Sequence, residues 1–90
     1  MKRVKLREDL LVEEVDGDRI VFDLKGSWYF SLNETGWLLW QRLREGLATV
    51  EDLGEVLLLS YEIDGAQARA DAEEYVAHLI EAELASWEGE

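Results

Sequence analysis

The stretch Ser27-Trp28-Tyr29-Phe30-Ser31-Leu32-Asn33-Glu34-Thr35-Gly36-Trp37-Leu38-Leu39-Trp40 changes its apolar period in mid-course. Up to Leu32, the residues Trp28, Phe30 and Leu32 alternate with Ser27, Tyr29 and Ser31, the spacing of a β-strand with one buried face. Beyond Asn33 the apolar residues Trp37, Leu39, Trp40 and Leu43 recur every three to four positions, which is the period of a helix. Asn33 stands at the junction, where its side-chain oxygen can accept a hydrogen bond from a free amide of the first helical turn. A strand that runs straight into a capped helix divides the chain into a β part before this point and a helical part after it.

Toward the N-terminus, Leu10 to Val15 is β-compatible, and Asp16-Gly17-Asp18 supplies turn chemistry for a tight hairpin into a second strand, Arg19 to Leu24. Ile20, Phe22 and Leu24 share one face of that strand, and Lys25-Gly26 turns the chain into Ser27 to Leu32. Three antiparallel strands in a meander follow. Toward the C-terminus the first helix is Glu34 to Arg44, and Thr49 with Asp52 caps a second helix whose apolar face is Val50, Leu53, Val56, Leu57 and Tyr61. Asp64-Gly65 breaks the chain before a long third helix from about Ala66 to Ala85, striped by Ala68, Ala72, Tyr75 or Val76, and Leu79. The expectation is an α+β fold of winged-helix-like type: a three-stranded antiparallel sheet from about residue 4 to 32, then three α-helices from about 34 to 85, in the order βββααα. Ninety residues provide one hydrophobic core, so residues 1–90 are expected to form a single domain.

Composition narrows the function. An apolar fraction of 48% is too high for a disordered chain despite a formal charge of −12. Without cysteine there is no disulfide frame, thiolate metal site or cysteine nucleophile. No apolar run reaches membrane-spanning length, and the basic opening Lys2, Arg3, Lys5, Arg7 leads into Glu8 and Asp9 rather than a signal-peptide core. A cytoplasmic protein without membrane insertion is expected. From residue 8 onward, five basic residues face all 21 acidic ones, a field that repels phosphate backbones and attracts basic partners.

Chemistry of its own is hard to assemble. His78 is the single histidine and falls mid-helix, and no nucleophile elbow, phosphate loop or metalloprotease motif occurs. No metal, cofactor or catalytic residue is expected. A DNA-recognition helix would need arginine and lysine, whereas the third helix region carries Asp64, Asp71, Glu73, Glu74, Glu81 and Glu83 against Arg69 alone, so nucleic acid is not expected as a partner. Peptide recognition fits better. The last strand of a meander leaves an outer edge of free N–H and C=O groups, ready to take up an extended peptide. With the third helix beside that edge, Tyr29, Tyr75, Asp71 and Glu74 would line a groove, while Phe30, Ala72 and Leu79 also fit the core stripes.

Gly26 to Gly36, then Trp40, Leu43, Gly46, Thr49, Leu53 and Tyr61, and finally Asp71-Ala72-Glu73-Glu74-Tyr75-Val76 with Leu79 and Leu84, resemble the PqqD-like family of recognition elements for ribosomally made, modified peptides. The aromatic strand entering Leu-Asn-x-Thr-Gly, followed by Trp40, is the most specific part. The chain lacks the proline and cysteine usual in quinone-cofactor chaperones of that family, and its form is most similar to the stand-alone leader-binding proteins of lasso peptide biosynthesis. The resemblance implies a non-catalytic protein that pairs a precursor's leader peptide with the third strand, against the third helix, beside a leader peptidase and an ATP-dependent macrolactam cyclase. Carried over by position, the peptide-binding residues are Ser27, Trp28, Tyr29, Phe30, Ser31 and Leu32 on the strand, with Asp71, Ala72, Glu74, Tyr75, His78 and Leu79 on the helix. Other modified-peptide pathways, including quinone cofactors, and a small transcriptional or protein-interaction regulator stand as alternatives.

Overall fold

A computed structural model of the chain describes residues 2–23 and 29–89. Its strands and helices run β1 (Arg3–Leu6), β2 (Leu10–Val15), β3 (Asp18–Asp23), β4 (Tyr29–Leu32), α1 (Glu34–Arg44), α2 (Val50–Ser60), α3 (Gly65–Glu81) and β5 (Ala85–Glu88). The expected meander is present as the antiparallel sheet β2-β3-β4. Its first hairpin turns on two residues, since Val15 pairs with Asp18, and both Asp16 (φ 51°) and Gly17 (φ 86°) take the left-handed backbone that such a loop needs. Ser27 and Trp28, expected to open the third strand, lie outside the described residues, as does the Lys25-Gly26 turn.

Two departures from the βββααα order are informative. The third helix ends at Glu81 rather than near Ala85, and the chain continues into β5, which pairs antiparallel with β1 as a separate two-stranded sheet. The segment Glu81 to Ala85 has good helical propensity, but tertiary packing overrides it: Glu83 turns the chain at φ 62°, and Leu84 and Ala85 become buried. Arg7 ties the two sheets together. Its guanidinium donates to both carboxylate oxygens of Asp9 (3.0 and 2.8 Å), to both of Asp23 (3.0 and 3.3 Å) and to the Glu83 carbonyl (3.0 Å).

The core lies between the sheets and the three helices. Val4, Val21, Leu39, Trp40, Leu53, Leu57, Ala72, Val76, Leu79 and Leu84 are all essentially inaccessible to solvent. No helix among the described residues is long and apolar enough to cross a membrane. The second helix opens with a full capping box: the Asp52 amide donates to Thr49 Oγ1 (3.0 Å), and the Thr49 amide donates to Asp52 Oδ2 (2.9 Å).

That second bond holds the Asp52 carboxyl below its ordinary pKa, with Arg42 adding a smaller attraction. A carboxyl stabilised in its charged form contributes above its unfolded pKa and loses that contribution as pH falls through the folded value. We expect part of the acid sensitivity, below about pH 4, to come from this cap. Asp52→Asn should flatten the thermal-melting profile in that window; an unchanged profile would remove the cap from the explanation.

Candidate functional site

The third strand of the meander, β4, is a sheet edge. Its inner side pairs with β3, with Phe30 opposite Val21 and Ser31 opposite Ile20, and among the described residues no backbone pairs with its outer side. Beyond Leu32 the chain passes through Asn33 directly into α1. Residues on α3 rise beside it. Between them lies a cleft of about 390 Å³ lined by Asp18, Phe30, Ser31, Leu32, Asn33, Gly36, Tyr75, His78 and Leu79.

The strand-to-helix junction shapes this cleft. Leu32 is buried and forms part of the floor with Leu79. Asn33 caps α1 by accepting from the Gly36 amide at 2.7 Å, and the Thr35 hydroxyl meets the Tyr61 hydroxyl at 2.9 Å. Tyr75 leans from α3 onto the same turn and donates its hydroxyl to the Gly36 carbonyl at 2.9 Å. A Cβ on Gly36 would sit 3.1 Å from Asn33 Oδ1 and 3.5 Å from Tyr75 Cε1, so a side chain there would be tight and would require the capping oxygen to give by a few tenths of an ångström. In Leu-Asn-x-Thr-Gly, then, the leucine forms the floor, the asparagine caps the helix, the threonine bonds to Tyr61 just past α2, and the glycine eases the close approach. Burial pushes the Tyr75 phenol's pKa well above its usual value, so at neutral pH it remains a neutral hydrogen-bond donor.

Six of the twelve expected site residues meet at the cleft: Phe30, Ser31, Leu32, Tyr75, His78 and Leu79. Four others lie elsewhere. Tyr29, two-thirds exposed (67%), projects from the other face of the sheet, where its ring is 6.3 Å from that of its cross-strand neighbour Phe22. Ala72 is core, fully buried under α3, and supports the wall from behind. Asp71 and Glu74 are exposed on α3 outside the cleft lining, and Asp71 accepts from the Gln67 amide nitrogen at 2.7 Å. Ser27 and Trp28 fall outside the described residues.

Asp18, Asn33 and Gly36 line the cleft although sequence reasoning gives them no site role. The sequence marks Asn33 only as a cap. Asp18 reaches the cleft through register: Arg19 pairs with Leu32, which brings the start of β3 to the end of β4. Counting back from the two-residue hairpin would place it there. Among the described residues that line the cleft, Asp18 is the one carboxylate and there is no lysine or arginine.

This architecture and this edge belong to a known class. Residues 18–85 match the family described as Coenzyme PQQ synthesis protein D (PqqD), and the chain belongs to that family. Two solved structures carry the comparison further. "Lasso peptide synthetase B1 complexed with the leader peptide" is 29% identical, with a TM-score of 0.79 over 92% of this chain and 96% of that one. "TbiB1 in Complex with the TbiA(beta) Leader Peptide" shares the fold at 21% identity, with a TM-score of 0.81 over 96% of this chain and 99% of that one. A search of curated proteins gave no significant match.

Proposed function

We propose that the whole chain, residues 1–90, works as one recognition domain that captures the leader segment of a ribosomally made precursor in the cytoplasm. The leader adds as a strand to β4 and packs against α3, and the protein holds it for a leader peptidase and an ATP-dependent macrolactam cyclase of lasso peptide biosynthesis. The chain performs no chemistry itself. The observation that carries this reading is the outer side of β4, unpaired among the described residues, beside a cleft walled by Tyr75 and His78, in a fold shared with two proteins solved with leader peptides. Backbone pairing supplies affinity independent of leader sequence, and the cleft supplies selection by accepting apolar side chains over Leu32 and Leu79.

Capture helps an enzyme by raising local substrate concentration to roughly millimolar, so affinity need only be moderate. A dissociation constant of about 0.1–1 µM corresponds to about −8 to −10 kcal/mol, in the range of one added strand with two anchored side chains after a flexible leader has been ordered. The strongly negative chain favours a basic leader. Asp71 and Glu74, exposed beside the cleft wall, act by long-range attraction rather than contact.

The test is titration calorimetry with the precursor's leader peptide at low and physiological salt. Submicromolar to micromolar binding is expected, with association slowed at low salt when Asp71 and Glu74 are reversed to lysine. Absence of heat at about 100 times that concentration range would refute capture. Binding indifferent to ionic strength would refute the electrostatic part alone.

A further inference from the structure

A second cleft, larger than the one beside β4, lies away from that strand. It occupies about 530 Å³ between the β1–β2 connection and the C-terminal end of α1, and Lys5, Arg7 and Arg44 stand around it. These are three of the nine basic residues in a chain of net charge −12, set against Glu8 alone among the lining residues. Arg7 is already engaged by Asp9 and Asp23. Lys5 has a long, exposed contact with Glu88 (3.7 Å), and among the described residues Arg44 has no carboxylate within ion-pair distance. The cationic character therefore rests on Lys5 and Arg44, and both face solvent.

The same cleft is apolar inside. Leu10 and Val12 of β2 and Trp40 and Leu43 of α1 contribute to its walls, while Leu11 and Leu47 leave 44% and 41% of their surface exposed at its mouth. Beside it β2 forms the other edge of the three-stranded sheet, and its outer side has no backbone partner among the described residues. The leader cleft sits at the N-terminal end of α1, around Asn33 and Gly36; this one sits at the C-terminal end, about 15 Å along the helix. The two clefts also differ in charge: among the described residues Asp18 lines one with no lysine or arginine, whereas Lys5 and Arg44 stand at the other.

We propose that this second cleft is a docking surface whose occupant is an acidic surface segment, carrying an apolar anchor, of the enzyme that acts on the captured peptide. The inference rests on the capture reading and extends it. A chain that only holds a peptide needs one site, whereas one that delivers it needs a second surface that the peptide leaves free. Charge complementarity selects the occupant. A basic leader is disfavoured by Lys5 and Arg44, whereas an acidic segment meets in Arg44 a cation with no carboxylate within ion-pair distance among the described residues. Leu11 and Leu47 receive the apolar anchor, and the free edge of β2 offers backbone pairing to any extended part of the segment.

The test uses the full-length chain, the synthetic precursor and the cognate leader peptidase. Because Arg44 and Leu47 are exposed and outside the leader cleft, the variant Arg44→Glu/Leu47→Asp should melt within a few degrees of the parent and bind leader peptide within twofold of it. Its affinity for the peptidase, and the stimulation of precursor cleavage, should fall at least tenfold, while Arg44→Lys retains both. Unchanged peptidase affinity with normal leader binding would overturn the proposal. So would sedimentation showing that the parent chain self-associates through this cleft and that the double variant does not. A parent chain that fails to bind leader at all would instead overturn the capture reading, and with it the enzyme as occupant.

Discussion

A leader peptide N-methylated at every second backbone amide across the segment that meets β4 should lose binding by at least about 30-fold in one phase and keep most of it in the other. The reasoning is geometric. In an antiparallel pair, alternate residues direct both N–H and C=O at the partner strand, and the intervening residues direct theirs away. Four residues of β4 are described, so about two of them face the incoming strand. Each lost N–H removes about 0.5–1.5 kcal/mol of net hydrogen bonding, and an acceptor left buried and unpaired costs about 1–3 kcal/mol. Two such losses come to about 2–6 kcal/mol, and about 1.4 kcal/mol is a tenfold change in affinity. The methyl group also collides with β4 only in the phase that points inward. Equal losses in both phases would mean that the leader is held by side chains in the cleft and adds no strand.

This experiment reports on the feature that was most legible in the sequence. The change of period at Asn33 located both β4 and α1, because alternation over Tyr29 to Leu32 and the three-to-four spacing of Trp37, Trp40 and Leu43 are strong and adjacent signals. Asp16-Gly17 and the Thr49–Asp52 box were readable for a similar reason: each is a local device whose chemistry requires those residue types at that spacing. The pairing of β1 with β5 was not readable. Each strand is short and no local device joins them, because their partnership spans nearly the whole chain. Helical propensity through Glu81 to Ala85 pointed the other way, and burial of Leu84 decided the outcome.

The site was legible at the level of elements and less so at the level of side chains. Alternation on β4 does fix which residues share a face, so Tyr29 and Phe30 had to part company; only the sheet's packing on α1 and α3 decides that Phe30 turns toward the cleft and Tyr29 pairs with Phe22 on the far side. On α3 the stripe Ala68, Ala72, Val76 and Leu79 is core, and the residues one step round the helix from it, Tyr75 and His78, become the wall. A helical stripe cannot tell its centre from its margin until a neighbour is placed beside it. Gly36 carries a further lesson: what marks it is the absence of a side chain, and that absence acquires meaning only when Tyr75 and Asn33 arrive at the same point.

Leu79 and His78, adjacent in sequence, should give opposite results, and the contrast measures where core ends and recognition begins. Leu79 is completely buried at the floor, while His78 is exposed on the wall. Leu79→Ala is expected to cost about 2–5 kcal/mol of stability through lost burial and a residual cavity. For a domain of this size that is a fall in Tm of about 10–30 °C, a large share of a total stability of about 5–15 kcal/mol. His78→Ala should shift Tm by no more than about 3 °C, as expected of an exposed surface position, yet weaken leader binding about threefold to tenfold by removing one face of the cleft. Linkage then separates the roles further. A ligand that binds only the folded chain stabilises it by about 2.7 kcal/mol at 100 times its dissociation constant. If Leu79 acts mainly as core, saturating leader should raise the Tm of Leu79→Ala about as much as it raises that of the parent. If the leader fails to stabilise that variant while still stabilising the parent, Leu79 is itself a principal contact, and the floor of the cleft belongs to the binding site.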